Sequence, residues 1–165
     1  REDVAELMLE KGAYVNPTLG PGLMRALILE NKKGNGDFND LDQEVLDSVY
    51  KENEHRLECF NKLINLGIPM SAGSDSAWGG YKMGNYFLDI EGHVKGGQSP
   101  MEAIMSATDI AAQSCWIDEN LGSIETGKLA DILIVREDPT KQIENLRTVV
   151  DVIKDGQLID RQSQL

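Results

Sequence analysis

Residues 68–75, Ile-Pro-Met-Ser-Ala-Gly-Ser-Asp, constrain this chain more than any other stretch. The run is short, mostly small and apolar, and ends on a carboxylate; it suits a strand covered on both faces, as parallel sheets require. It follows the longest helical pattern in the sequence. From about Leu41 to Leu66, the apolar positions Val45, Val49, Leu57, Phe60 and Ile64 recur at helical spacing, and Gly67 supplies the C-terminal stop. Ahead of that helix, Ala13 to Leu19 (AYVNPTL) is a second strand-like run. Pro17 forbids a central ladder position beyond Asn16, so this strand ends there and opens into an outward-facing loop.

The flanking segments complete an alternating order. Residues 2–11 place Val4, Leu7 and Met8 on one stripe, with Gly12 as the stop, which predicts a short amphipathic helix. Residues 20–40 open on Gly-Pro-Gly, carry an apolar turn or two (Leu23, Leu27, Ile28) and dissolve into Lys-Lys-Gly-Asn-Gly-Asp, turn composition that reads as a mobile excursion. After the Gly-rich stretch Trp78-Gly79-Gly80-Tyr81, a helix carries Phe87, Ile90 and Val94 as far as Gly96-Gly97. Ser99-Pro100-Met101-Glu102 is a capping box with Pro at the first helical position, and its helix runs through Ile104, Met105, Thr108 and Ala112. Strands are expected at Leu129–Val135 and Val149–Lys154, and Asp155-Gly156 is a hairpin signal leading into Gln157-Leu158-Ile159. This order predicts an α/β unit followed by a small β appendage.

Composition removes several classes of function. Against 28 Asp plus Glu the chain has 16 Lys plus Arg, a formal net charge of −12. Nucleic acid and anionic membranes need a contiguous basic surface, so neither is an expected partner. No stretch approaches the ~20 apolar residues of a membrane span, and Arg-Glu-Asp-Val is unlike a signal peptide, so the chain reads as cytoplasmic. It opens without Met, directly on a helical pattern, which reads as a processed product or a piece of a longer protein. Cys59 and Cys115 lack CxxC spacing and read as two buried, reduced thiols.

Asp75 is the first candidate for chemistry. It ends a small-residue strand, and the carboxyl ends of parallel strands are where α/β folds build their sites. A carboxylate there can hold a metal or take a proton from a metal-bound water; the alternative is an Asp that caps the next turn. His55 and Cys59 stand one helical turn apart, but tetrahedral zinc wants three or four ligands, and an ordinary surface pair is the better reading. His93, beside Gly92, reads as a boundary residue of its helix. There is no GxSxG, no P-loop and no GxGxxG after a strand.

Several strings are more specific. Asn16-Pro17-Thr18-Leu19, Gly67-Ile68-Pro69 leading to Ala72-Gly73-Ser74-Asp75, Gln98-Ser99-Pro100-Met101-Glu102-Ala103-Ile104, and Leu121-Gly122-Ser123-Ile124-Glu125-Thr126-Gly127-Lys128-Leu129-Ala130-Asp131-Ile132 with Val152-Ile153-Lys154-Asp155-Gly156 occur in this order. In them the chain resembles the C-terminal half of the amidohydrolase superfamily, in its imidazolonepropionase-like and Xaa-Pro dipeptidase-like branch. The resemblance implies an α/β fold, the C-terminal part of a metal-dependent (β/α)8 TIM barrel over residues 1–118, with the C-terminal strands of a small β-sandwich over residues 119–165. It implies that Asp75 is the strand-eight aspartate, contacting a divalent metal, zinc first as one or two ions, and accepting the proton of the attacking water. Ser76, Trp78 and Tyr81 would contact substrate, with simple loop packing as the alternative for Trp78 and Tyr81.

The family's other metal ligands would lie upstream of Arg1, and neither His55 nor His93 falls at a ligand position, so no tightly bound metal is expected in the isolated chain. The implied activity is hydrolysis of an amide or other C–N bond in a small substrate, a dipeptide or cyclic amide. The alternative is a catalytically inactive fragment or a structural and assembly module lacking the metal site. Expected partners are the small-molecule amide substrate and either the remainder of its own barrel or other copies of the chain.

Overall fold

The computed structural model describes residues 2–76, 81 and 83–160. Six α-helices come first: α1 (Glu2–Glu10), α2 (Gly20–Gly34), α3 (Asp40–Asn65), α4 (Phe87–Lys95), α5 (Pro100–Ala107) and α6 (Asp109–Ser114). Three short strands follow, β1 (Ile132–Val135), β2 (Val149–Lys154) and β3 (Gln157–Leu158), with a 3₁₀ turn at Ile143–Arg147 between the first two.

The long helix forms as its pattern predicts, and its start is fixed by chemistry ahead of the apolar stripe. Asn39 accepts from the Asp42 amide at 2.9 Å while the Asp42 carboxylate accepts from the Asn39 amide at 3.0 Å, a reciprocal cap. Leu46, Val49 and Phe60 are its buried face. Phe60 joins Ala5, Leu19, Ile68 and Met70 in one core cluster, while Leu46 and Val49 close a second around Ala26 of α2.

The segments on either side of α3 run parallel and touch. Val15 donates to the Pro69 carbonyl at 3.0 Å and the Ser71 amide donates back to Val15 at 2.9 Å, a single parallel bridge between Val15 and Met70. The contact stops before Pro17, as the missing N–H requires. The second segment is tied on the other side to α5, where the Ala72 amide donates to the Ser106 carbonyl at 2.8 Å. Ser99 and Glu102 form the expected capping box of α5, with Pro100 in the first turn.

Residues 20–34 depart from the expectation of a mobile excursion: they form α2, a fifteen-residue helix. Pro21 is tolerated because the first turn of a helix does not use its N–H. Lys32 reaches the Asp42 carboxylate at 2.6 Å, locking the last turn of α2 to the first turn of α3. Both thiols also depart from expectation, since Cys59 and Cys115 are free and exposed. Cys59 faces His55 at 3.7 Å on the exposed side of α3, the polar flank of the helix. His93 is no boundary residue: it is 1% exposed, because every position from Leu88 to His93 in α4 is buried.

The tail is an antiparallel sheet in the order β1-β2-β3, pairing Ile132 with Ile153 and Ile153 with Leu158. The β1 ladder is shorter than the apolar run 129–135 and bulges between Ile134 and Val135. Asp155 and Gly156 both adopt positive φ, +51° and +74°, the geometry that a two-residue Asp-Gly hairpin demands. Among the described residues there is one sheet, with no second layer of strands over it, and no helix is long and apolar enough to cross a membrane.

Candidate active site at the tips of two parallel segments

Asp75 stands exposed at the end of its segment with φ +45°, in the left-handed region. Thr18, at the end of the neighbouring parallel segment, has φ +48°. A β-branched residue there is a rare outlier, and each such conformation costs on the order of 1–3 kcal/mol unless the surroundings impose it. Two strained tips side by side mark this end of the fold as a place where local stability is given up for geometry.

The surroundings that impose it are visible. The Asn16 side chain accepts from the Thr18 amide at 3.3 Å and from the Thr18 hydroxyl at 3.1 Å, closing a tight turn. That amide side chain abuts Gly73, where an added Cβ would come within 2.0 Å of Asn16 Nδ2. Gly73 is therefore required by the close approach of the two tips. Arg56 of α3 donates from one guanidinium nitrogen to the carbonyls of Pro17 and Thr18, at 3.1 and 3.0 Å. On the Asp75 side, the Ser74 hydroxyl donates to Ser76 Oγ at 3.1 Å and accepts from the Ser76 amide at 3.3 Å. Tyr86 donates to the Ala72 carbonyl at 2.9 Å, and burial pushes its phenol up to about 12.

Of the four residues expected here, Asp75 and Ser76 are at the tip, and Trp78 lies outside the described residues. Tyr81 is 3% exposed, and its hydroxyl faces the Asp89 carboxyl and the Asn85 carbonyl, the latter at 3.1 Å. Asp89, 1% exposed, accepts in addition from the Gly20 amide at 2.8 Å. Burial raises the Asp89 carboxyl above the ordinary carboxylate range, while Tyr81, the Gly20 amide and the Arg56 charge pull it back. The Tyr81 phenol is raised by burial first and by Asp89 second.

Asn16, Thr18, Arg56 and Asp89 were not singled out as site residues by sequence. Leu19 at the start of α2 has no side chain that can cap it, and the Asp89 carboxyl that accepts from the Gly20 amide comes from a remote position that no local signal marks.

A divalent cation needs several ligands, and among the described residues no group of three or more His, Cys, Asp or Glu side chains gathers to hold one. The described residues do not by themselves fit a metal. What the tip offers is one exposed carboxylate in a fixed backbone, flanked by hydroxyls and an oriented side-chain amide, which suits proton transfer at a small polar substrate.

The profile of the Amidohydrolase family matches residues 2–159. No curated protein sequence matches the chain. Among solved structures, a Xaa-Pro dipeptidase with bound methionine in its active site is 32% identical with a TM-score of 0.74, over 96% of this chain and 37% of that one. Molinate hydrolase is 26% identical with a TM-score of 0.69, over 97% of this chain and 35% of that one. A. niger ochratoxinase is 27% identical with a TM-score of 0.67, over 96% and 34%. The chain thus spans a little over a third of the length of these structures.

Proposed function

This chain belongs to the amidohydrolase family, and on that premise we propose that the protein it forms part of hydrolyses the amide or other C–N bond of a small substrate, with a dipeptide or cyclic amide as the first candidate. The similarity to a Xaa-Pro dipeptidase supports that substrate class. In this reading residues 1–118 supply the C-terminal part of a (β/α)8 barrel and residues 119–165 a share of a β-sandwich. The partner of this chain in this reading is the remainder of its own barrel or other copies of the chain.

The observation that carries the proposal is Asp75, an exposed carboxylate held at positive φ at the tip of a segment that runs parallel to its neighbour. Its oxygen takes the proton of the attacking water and hands it to the leaving nitrogen, so that one group serves as base and then as acid. Ser76 lies beside it to orient the substrate. Family chemistry implies a divalent metal, zinc first, in the complete enzyme. The described residues do not make its site, and Asp75 is left here with the proton transfer.

The test is Asp75→Asn in the full-length protein, assayed against a panel of dipeptides, N-acyl amino acids and cyclic amides. The substitution keeps shape and removes basicity. A fall in kcat of ~10²–10⁴-fold is expected, the usual worth of a positioned acid–base group. Retention of more than about a tenth of wild-type kcat would make Asp75 a turn cap.

A further inference from the structure

Asn16 keeps one half of its side-chain amide unspent at the tips of the two parallel segments. Val15 and Met70 pair across the bridge and pack on the cluster around Phe60, so alternation turns Asn16 and Gly73 to the opposite face, where Asn16 is exposed. Its Oδ1 accepts from the Thr18 amide at 3.3 Å and from the Thr18 hydroxyl at 3.1 Å. A backbone N–H only donates, so the atom that faces it is the oxygen, and the rotation of the amide is fixed by chemistry. The nitrogen lies against Gly73, where an added Cβ would meet Nδ2 at 2.0 Å. Among the described residues Nδ2 donates to no acceptor. The turn at Thr18 does not account for this arrangement. Ser, Thr or Asp at position 16 would accept from the same amide, and Gly73, whose φ lies outside the left-handed region, needs no glycine for its backbone.

We propose that Asn16 is a substrate-binding residue, its Nδ2 donating to the carbonyl oxygen of the amide whose nitrogen Asp75 protonates. The proposal rests on the reading of Asp75 as the proton-transfer group. Gly73 stands two residues before Asp75, and that much chain spans at most about 7 Å, so Nδ2 lies within about 10 Å of the Asp75 Cα. One amide, with a hydrogen bond of about 2.9 Å at its oxygen and the Asp75 side chain at its nitrogen, fills that gap. The chemistry of the ligand follows from what Asn16 has left to offer. Its free half only donates, so it takes an oxygen and refuses an ammonium. The Asp75 carboxylate nearby disfavours a second anion, so the oxygen is that of a neutral carbonyl rather than of a carboxylate. The two residues then hold the two ends of one amide and fix which bond meets the carboxylate.

Two substitutions separate the donor from the turn. Asn16→Asp keeps the shape and the acceptor for Thr18 and exchanges the donor for an oxygen. Asn16→Ser keeps a shorter, neutral acceptor for the same amide and withdraws the donor. A loss caused by the missing N–H appears in both; a loss caused by new charge beside Asp75 appears only in the first.

The experiment uses the full-length enzyme, the best amide substrate of the panel and its thioamide counterpart, whose sulfur is a weak acceptor. Both variants are expected to lower kcat/KM for the amide about 10- to 100-fold, with the folded fraction by circular dichroism unchanged. The loss on the thioamide is expected to be much smaller, so the preference for oxygen over sulfur shrinks when Asn16 is replaced. Equal losses on the two substrates assign Asn16 to the turn alone and overturn the contact. A loss in Asn16→Asp beside a wild-type Asn16→Ser reports charge next to Asp75 and overturns it as well. If Asn16→Ser fails to fold, the oxygen-to-sulfur ratio of Asn16→Asp decides. Either failure beside an inactive Asp75→Asn leaves the proposed function standing, whereas full activity in Asp75→Asn overturns both readings.

Discussion

Arg147 donates from Nε and from a terminal guanidinium nitrogen to the same oxygen of Glu91, at 2.8 and 2.5 Å, across 56 residues of sequence. Its guanidinium also lies 4.1 Å from the centroid of the Phe87 ring. The pair fastens the 3₁₀ turn before β2 onto α4, the helix that carries Asp89. Glu91 is buried and Arg147 about half exposed, so the two partners are not energetically equivalent. Removing the arginine leaves a buried carboxylate without its cation, whereas removing both leaves only apolar surface. Arg147→Ala is therefore expected to cost about 1–3 kcal/mol, and the double substitution Glu91→Leu with Arg147→Met less than the single one. Denaturant melts of the three proteins check the order; a single variant as stable as wild type would make the contact an ornament of the surface.

His93 supplies a pH dependence of known sign. Its Nδ1 donates to Gln98 Oε1 at 2.9 Å, its Nε2 is buried with no partner among the described residues, and its ring packs edge-on against Phe60 with centroids 4.8 Å apart. Burial lowers its pKa below the ordinary 6.5, with Gln98 opposing weakly. Below the unfolded-state value near 6.5 the unfolded chain binds a proton that the folded chain does not. The stability that neutral His93 supports is thus full above that pH and falls as the pH drops through it, by at most ~1.4 kcal/mol per unit. Asp89 acts oppositely over the acidic range, since its raised carboxyl favours the folded state at lower pH. The difference between wild type and His93→Leu isolates the histidine. Gln98 keeps the Ser106 hydroxyl at 3.1 Å when the ring is gone. Relative to wild type, the variant should gain stability between about pH 7 and pH 5; a flat difference profile would mean that the ring is protonated in place.

Glycines of one helix should respond in opposite directions. Gly20 opens α2 under Asp89 and Tyr81, with contact distances of 2.3 Å for an added Cβ, while Gly34 closes the same helix with nothing within 4 Å. Gly20→Ala forces the buried pair apart and is expected to cost about 1–3 kcal/mol. Gly34→Ala should gain from a few tenths to about 1 kcal/mol from the lower entropy of the unfolded chain. Thermal melts of the two single variants give the comparison, and equal effects would refute the close approach at Gly20.

How much of this was readable in the residues depended on distance along the chain. The α3 stripe, the Ser99–Glu102 box and the Asp155-Gly156 turn are local patterns, complete within a few residues, and each stands where its pattern put it, whereas the strand runs 13–19 and 68–75 come down to one bridge between Val15 and Met70. Residues 20–34 were misread because their helix is capped by Asp89, sixty-nine residues away, and no local residue announces it. His93 looked like an edge residue beside Gly92, yet Leu19 packs where a side chain at Gly92 would be, and α4 is enclosed on every side. Tyr81, for which the sequence leaves both substrate contact and loop packing open, is buried with its hydroxyl at Asp89, a contact that only the fold creates. Long-range satisfaction of buried polar groups is the part of the design that periodicity cannot carry.

The thiols provide a direct check of surface placement. Cys59 and Cys115 are both free and exposed, against the usual burial of cysteine. Both should react with a water-soluble disulfide reagent in the folded chain, without denaturant and in a single fast phase. Titration giving fewer than two thiols in native buffer would show that at least one is covered.

The sheet that ends the chain leads to the last expectation. Leu133 is 50% exposed, Val150 42% and Leu158 65%, although all three sit within strands. Pairing places Leu133 and Val152 on one face of the sheet and Ile153 with Leu158 on the other, while Val150 is the extra residue at the register shift opposite Ile134 and Val135. Among the described residues these side chains stand exposed, and a three-stranded sheet needs one apolar face packed against something to be stable. The strand edges carry unpaired backbone groups that template association. The isolated chain is therefore expected to associate at micromolar concentration and to enhance the fluorescence of a hydrophobic dye. Leu133→Lys combined with Val150→Lys should weaken both effects, because two like charges at exposed strand positions oppose association. Sedimentation velocity across a concentration series measures the first effect and dye titration the second. A strictly monomeric, dye-silent wild-type chain would show that these side chains find cover within the 165 residues themselves.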